Sequence, residues 1–365
     1  MKLKAAFIFI LSFNLSLSFA CTNILIKAKD GAVVIGRTLE FGPPLDSEII
    51  TSPKGRKFTN KALNGQESQS WTAKYGYVYL NFFHQDHAVD GMNEKGLSMG
   101  FLYLPGFTDY PEATNENVKQ GIPYYQLGDW ILSQFETVEE VKAKLSRLIV
   151  FGQDLDVPQQ GKVTFPVHVI VNDSKGKSIV IEFNKKDMQV YDNPLGILTN
   201  APTFDWHINN LKNYTNLSPY AVEPIKEDGI TYSATSQGAG MFGLPGDSTS
   251  PSRFVKMAFL QTTALPVENA EKAVVLAHHI IENVFIPNGM VRNPKGSAGT
   301  ETTQWTVFKD LKNAKLYFKS YDYPMLQSID LKKLDLGENA RVLRLPVNHQ
   351  AELSKDVTEI IAGKA

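Results

Sequence analysis

The sequence predicts a layered α+β protein in which antiparallel sheets are covered by helices. Three observations carry that prediction. Strand-rich hairpins open and close the chain, helix-period segments come in consecutive pairs between them, and no internal repeat or low-complexity linker divides the 365 residues.

The first twenty residues stand outside this pattern. Met1-Lys2-Leu3-Lys4 is a short positive start, Ala5 to Ala20 is apolar with only small or amide polar residues, and Ser18-Phe19-Ala20 puts small residues where a signal peptidase reads them. The apolar run is short for a membrane span. The expectation is a secretory signal peptide over 1–20, removed on export to the periplasm or the exterior, with no membrane anchor. One domain over 21–365 follows it.

That domain opens with β-branched runs at Thr22–Lys27 and Ala32–Thr38 around Lys29-Asp30-Gly31, a strong hairpin signal. Strands are predicted next at Tyr77–Phe82 and Leu97–Leu102. Apolar residues then recur at helical spacing over Tyr124–Gln134 and Val138–Leu148, where Thr137 and Glu140 have the spacing of a capping box. Strands follow at Val167–Asn172, Ser178–Phe183 and Met188–Tyr191, and helices at Ser252–Leu260 and Val267–Val284. Gln304–Leu311 and Ala314–Tyr321, joined through Lys312-Asn313, form the closing hairpin.

Composition removes several function classes. The formal charge of −1 becomes −3 once the two leader lysines are gone, which leaves no basic excess for nucleic acid. With 43% apolar and 11% aromatic residues, the chain can bury a large core without disulfides. The seven histidines (His84, His87, His168, His207, His278, His279 and His349) show no zinc-site spacing, so no metal and no cofactor are expected. The single cysteine, Cys21, lies at the predicted cleavage junction. A lone cysteine in an exported chain points to a reactive thiol or an intermolecular bridge.

A mature N-terminal cysteine combines nucleophile and base in one residue. Its thiol attacks a carbonyl while its α-amine, with a pKa near 8, takes up and returns the proton. Arg37 ends the second predicted strand, so a hairpin return brings its fixed charge beside Cys21, where it favours thiolate and neutral amine. Glu40, in Arg37-Thr38-Leu39-Glu40-Phe41-Gly42, is within reach of the amine. Two other readings of Cys21 compete: an incidental buried thiol, and a lipoprotein acylation site on an anchored binding protein. For the second, Ser18 and Phe19 are a poor match to the usual Leu and small residue. A papain-like thiol hydrolase lacks its Cys-His sequence context here.

Cys21-Thr22-Asn23 followed by Gly36-Arg37-Thr38-Leu39-Glu40-Phe41-Gly42 resembles the opening of the choloylglycine hydrolase family. Asp90-Gly91-Met92-Asn93-Glu94-Lys95-Gly96-Leu97, Thr199-Asn200-Ala201-Pro202, Gly243-Leu244-Pro245-Gly246-Asp247, Ser250-Pro251-Ser252-Arg253-Phe254 and Thr303-Gln304-Trp305-Thr306 continue it in order. Each block alone is weakly specific; the ordered set behind an N-terminal cysteine is very specific. The family comprises bile salt hydrolases, penicillin V acylases and related N-acyl amide hydrolases of the N-terminal-nucleophile (Ntn) class.

The resemblance implies a four-layer αββα Ntn-hydrolase sandwich with two antiparallel sheets, hydrolysis of a linear amide in a small N-acyl substrate, and assembly as a homotetramer. It implies Cys21 as nucleophile, Arg37 as its charge partner, Arg253 as the second catalytic-site arginine, and Asn200 with the Tyr103 N–H as the oxyanion hole. Glu40 falls where bile salt hydrolases usually carry Asp, one methylene shorter. Tyr103 falls where they usually carry Asn and penicillin V acylases often carry Tyr. Penicillin V or N-acyl homoserine lactones are therefore favoured over conjugated bile salts, with Phe41 and Phe107 as candidates to pack the acyl group. Read without the family, Asn200 is a turn residue, Tyr103 a strand-end aromatic, Arg253 a helix-start charge, and the two phenylalanines core residues.

Overall fold

The computed structural model describes residues 19–59, 61, 65–158, 161–295 and 299–363. The expected leader lies outside the described residues up to position 18.

The first hairpin pairs β1 (Phe19–Lys27) with β2 (Val33–Phe41). Gly31, at φ +81°, makes its turn where a side chain would be strained, and Asp30 Oδ1 accepts the Ala32 N–H at 2.9 Å. Next come β3 (Glu48–Ser52), β4 (Tyr77–Leu80), β5 (Asp90–Asn93) and β6 (Leu97–Tyr103), then α1 (Leu127–Gln134) and α2 (Val138–Leu145). A meander of β7 (Val167–Asp173), β8 (Ser178–Asn184) and β9 (Asp187–Asp192) follows. After α3 (Phe204–Asn210), α4 (Ser250–Thr263) and α5 (Ala270–Ile281), the chain closes with β10 (Val291–Arg292), β11 (Thr300–Asp310), β12 (Lys315–Ser320), β13 (Gln327–Asp330) and β14 (Arg344–Pro346).

Two large antiparallel sheets result, beside four two-stranded ones among the described residues. One has six strands in the order β1-β2-β11-β12-β13, with β10 beside β11; the other has eight, β9-β8-β7-β6-β5-β4-β3-β14. Helices α4 and α5 cover the outer face of the first sheet, and α1 and α2 that of the second. This is the four-layer αββα sandwich.

Local chemistry sets the helix ends. Thr137 accepts the Glu140 N–H at 3.3 Å and starts α2, while Glu140 Oε2 reaches one residue past the cap, to the Glu136 N–H at 2.9 Å. Asn269 caps α5 through the Lys272 N–H at 3.0 Å, so that helix begins three residues later than the apolar spacing from Val267 suggested. Helix α4 starts two residues earlier than expected, with Pro251 in its first turn, where a missing N–H costs nothing.

The period of two along β2 positions the site. Ile35, Arg37, Leu39 and Phe41 project between the sheets, and Val34, Thr38 and Glu40 project toward the helices; all of β2 is buried. Strand β1 is the outer strand of its sheet. Its free side meets Leu198, where Asn23 N donates to the Leu198 oxygen at 2.8 Å and Leu198 N returns a bond at 3.2 Å.

Candidate active site

Cys21 pairs with Leu39 and Asn23 with Arg37 across the first hairpin, so the cysteine and arginine side chains share the face between the sheets. The thiol is 2% exposed, with Arg37 Nη2 at 3.9 Å from Sγ. The same nitrogen donates to the Phe101 carbonyl, and Nη1 donates to Asp90 Oδ2 at 3.0 Å. The Trp305 ring lies 5.1 Å from the guanidinium carbon. Burial pushes the Cys21 thiol up from its ordinary value, Arg37 pulls it down, Glu40 pushes it up, and Arg253 pulls it down. Burial prevails, so the thiol needs a base as it attacks.

Asn200 and Arg253 hold the main chain at Cys21. The Cys21 nitrogen donates to Asn200 Oδ1 at 2.6 Å. Arg253, on α4, donates from Nη1 to the Cys21 carbonyl at 2.5 Å and to Thr22 Oγ1 at 2.6 Å, and from Nη2 to Asn200 Oδ1 at 2.7 Å. Asn200 Nδ2 donates to the Tyr103 carbonyl at 2.8 Å, which leaves that nitrogen a second hydrogen. Cys21, Arg37, Arg253, Asn200 and Tyr103, far apart in sequence, therefore come together at the start of β1.

Glu40 is also adjacent, but on the opposite face of the sheet from the thiol. It pairs in register with Ala20, and its Oε1 accepts the Thr303 hydroxyl at 2.9 Å. It does not hydrogen-bond the Cys21 nitrogen in this chain, which continues through Phe19 and Ala20. Its other oxygen has no hydrogen-bond partner, and burial raises the carboxyl from 4.5 to about 7 despite the opposing pull of Arg253.

An apolar cleft opens at the thiol. It is lined by Cys21 with Leu39, Phe82, Phe101, Tyr103, Tyr124, Tyr125 and Phe165 among others. Neither Phe41 nor Phe107 is among the lining residues. Phe41 is fully buried, edge-on to Phe83 at 5.7 Å between ring centres, and Phe107 is 43% exposed on the loop after β6.

Two sets of residues went unassigned in the sequence. His207 Nε2 contacts the Asn200 carbonyl at 2.8 Å, and His168 Nε2 contacts the Thr199 carbonyl at 2.9 Å, with Glu182 on its other nitrogen at 3.0 Å. Burial lowers His207 from 6.5 to about 4, which keeps it neutral. Lys309 holds the same Asp90 carboxylate that Arg37 contacts. The signal for Lys309 is its phase: it continues the inward series Trp305, Val307 on β11, where a lysine is out of place. Among the described residues no group of three or more His, Cys, Asp or Glu is arranged to hold a metal ion.

Comparisons with known proteins show the family and the fold. Residues 21–361 match the model of the linear amide C–N hydrolases of the choloylglycine hydrolase family. The chain is 33% identical to a bile salt hydrolase/transferase of Clostridium perfringens over 87% of its own length and 94% of the relative's. It is 25% identical to a penicillin V acylase of Pectobacterium atrosepticum, over 90% and 85%. The crystal structure of a variant conjugated bile acid hydrolase from Clostridium perfringens superposes with a TM-score of 0.80 at 31% identity, covering 93% of this chain and all of that one.

Proposed function

The chain belongs to the choloylglycine hydrolase family and is a linear amide C–N hydrolase; from that premise we propose that it cleaves N-acyl amides with a bulky apolar acyl group, penicillin V or an N-acyl homoserine lactone, with Cys21 as N-terminal nucleophile. One observation carries this reading: the thiol sits at the wall of a cleft built from aromatic and aliphatic side chains, with the polar groups of the site gathered at its own main chain.

Export removes residues 1–20 and frees the Cys21 amine. Sγ attacks the acyl carbonyl carbon as its proton passes to that amine. The tetrahedral oxyanion is stabilised by the second hydrogen of Asn200 Nδ2 and by the Tyr103 N–H; Arg253 polarises the Asn200 amide by donating to its oxygen. Collapse breaks the C–N bond, the leaving amine takes the proton, and water hydrolyses the thioester to regenerate the thiol.

Conjugated bile salts are the second reading, favoured by the higher identity to bile salt hydrolases than to the penicillin V acylase. A hydrolysis panel of penicillin V, acyl homoserine lactones of varied chain length, and glycine- and taurine-conjugated bile salts separates the two. The first reading expects kcat/KM highest on penicillin V or a long-chain lactone. Highest kcat/KM on a bile salt overturns it.

Assembly as a homotetramer belongs to the same proposal. The segment from Tyr220 to Phe242 presents Tyr220, Ile225, Ile230, Tyr232 and Phe242 to solvent around a small hairpin, an apolar surface suited to another copy. Light scattering of the mature protein should give four chains; a monomer at micromolar concentration contradicts it.

A further inference from the structure

Asp90 and Lys309 bring formal charge into the space between the sheets, where apolar packing would cost less. Lys309 is 1% exposed, and its Nζ lies 2.8 and 2.9 Å from the two Asp90 oxygens. Arg37 Nη1 takes the same carboxylate at 3.0 Å, and the Arg37–Asp90 pair is fully buried. Asp90 comes from β5 of one sheet, and Arg37 and Lys309 from β2 and β11 of the other. Two cations and one anion leave the cluster one positive charge in excess. The only thiol in the chain faces that excess through Arg37 Nη2. A sheet clamp alone would be served by a neutral pair; the surplus cation suits a site that acquires a negative charge.

We propose that Asp90 and Lys309 are positioning residues for the nucleophile: Asp90 fixes the Arg37 guanidinium against Cys21, and Lys309 offsets the Asp90 charge so that the field of Arg37 reaches the sulfur undiminished. This rests on Cys21 being the nucleophile. Other charged or titratable groups facing Cys21 are its own α-amine, Tyr103 on β6, Tyr124 and Tyr125 across the cleft, Arg253 on α4, and Glu40 on the far face of β2.

The test is the pH dependence of iodoacetamide alkylation of Cys21 in mature protein beginning at that residue, read by mass without substrate, alongside the kcat/KM profile. Removing a cation makes both thiol and amine harder to deprotonate. Lys309→Met should therefore raise the apparent pKa by about one unit, slow alkylation about tenfold below it, and move the acid limb up equally. Lys309→Arg should stay near wild type. Lys309→Met/Asp90→Asn restores the single excess charge and should return toward wild type. Should Lys309→Met fail to fold, Lys309→Gln, which keeps one hydrogen bond to Asp90, carries the same expectation. A folded Met or Gln variant with an unshifted pKa, or a double variant displaced further than the single, overturns the proposal. Turnover by Cys21→Ala would instead overturn the nucleophile assignment and leave the alkylation result standing.

Discussion

The two faces of β2 carry charge in opposite ways. Between the sheets, Arg37, Asp90 and Lys309 each have an oppositely charged partner within 3.0 Å. Toward the helices, Glu40 has one hydroxyl partner, one oxygen without a hydrogen bond, and a carboxyl raised to about 7. One face holds fixed charge by pairing, and the other holds a group that titrates near neutrality. Cys21 joins them, with its thiol on the first face and its carbonyl held by Arg253 on the second. On the mechanism proposed above, one side of the strand would stabilise the developing anion and the other would adjust the proton balance of the adjoining main chain.

The largest effect should come from the residue where the faces meet. Cys21→Ala should lower kcat by roughly a thousandfold or more with the fold retained, and Cys21→Ser should leave only a small residue, since a hydroxyl ionises far less readily. Asn200→Ala comes next. Loss of one preorganised donor should lower kcat about a hundredfold, with KM little changed. A change confined to KM would reduce Asn200 to a binding or turn residue.

Glu40→Gln tests the titrating face. It should lower kcat about tenfold, and the acid limb of the pH–rate profile should move down, because removing a negative charge makes the amine easier to deprotonate. Full activity with an unmoved profile would make Glu40 a bystander and the contrast between the faces irrelevant to turnover. The smallest effect is on stability. The folded chain keeps the Glu40 proton that the unfolded chain releases between pH 4.5 and about 7. This contribution is therefore fully present below 4.5 and lost as pH rises through 7, about 3 kcal/mol. Chemical denaturation across that range should show the loss in wild type and not in Glu40→Gln.

The sandwich was legible because its long elements follow simple periods: the first hairpin, the β7–β9 meander and the closing hairpin were each marked by β-branched runs around turn residues. The four-residue strand β5 and the seven-residue helix α3 are too short for their own periods to separate them from loop. In the site, Cys21, Arg37, Asn200 and Arg253 were legible as ordered blocks, and β1–β2 pairing with the start of α4 brings them into contact. The face on which Glu40 lies follows from strand alternation and was open to derivation, yet position relative to Arg37 alone suggested a direct amine contact. The apolar cleft at the thiol was not legible. Its walls come from Phe82, Tyr124, Tyr125 and Phe165, on four separate stretches whose convergence only the tertiary fold produces, whereas Phe41 and Phe107 stood out merely by adjacency to motifs.

On this mechanism a free N-terminal Cys21 carries the acyl group during turnover. Active protein, quenched rapidly with a slowly hydrolysed N-acyl substrate, should be analysed by intact mass and peptide mapping. The chain should begin Cys-Thr-Asn with an unblocked amine, and a transient adduct of acyl mass should appear on the peptide Cys21–Lys27 and be removed by hydroxylamine. Active enzyme that retains its leader, a lipidated Cys21, or an acyl adduct on any other residue would contradict it.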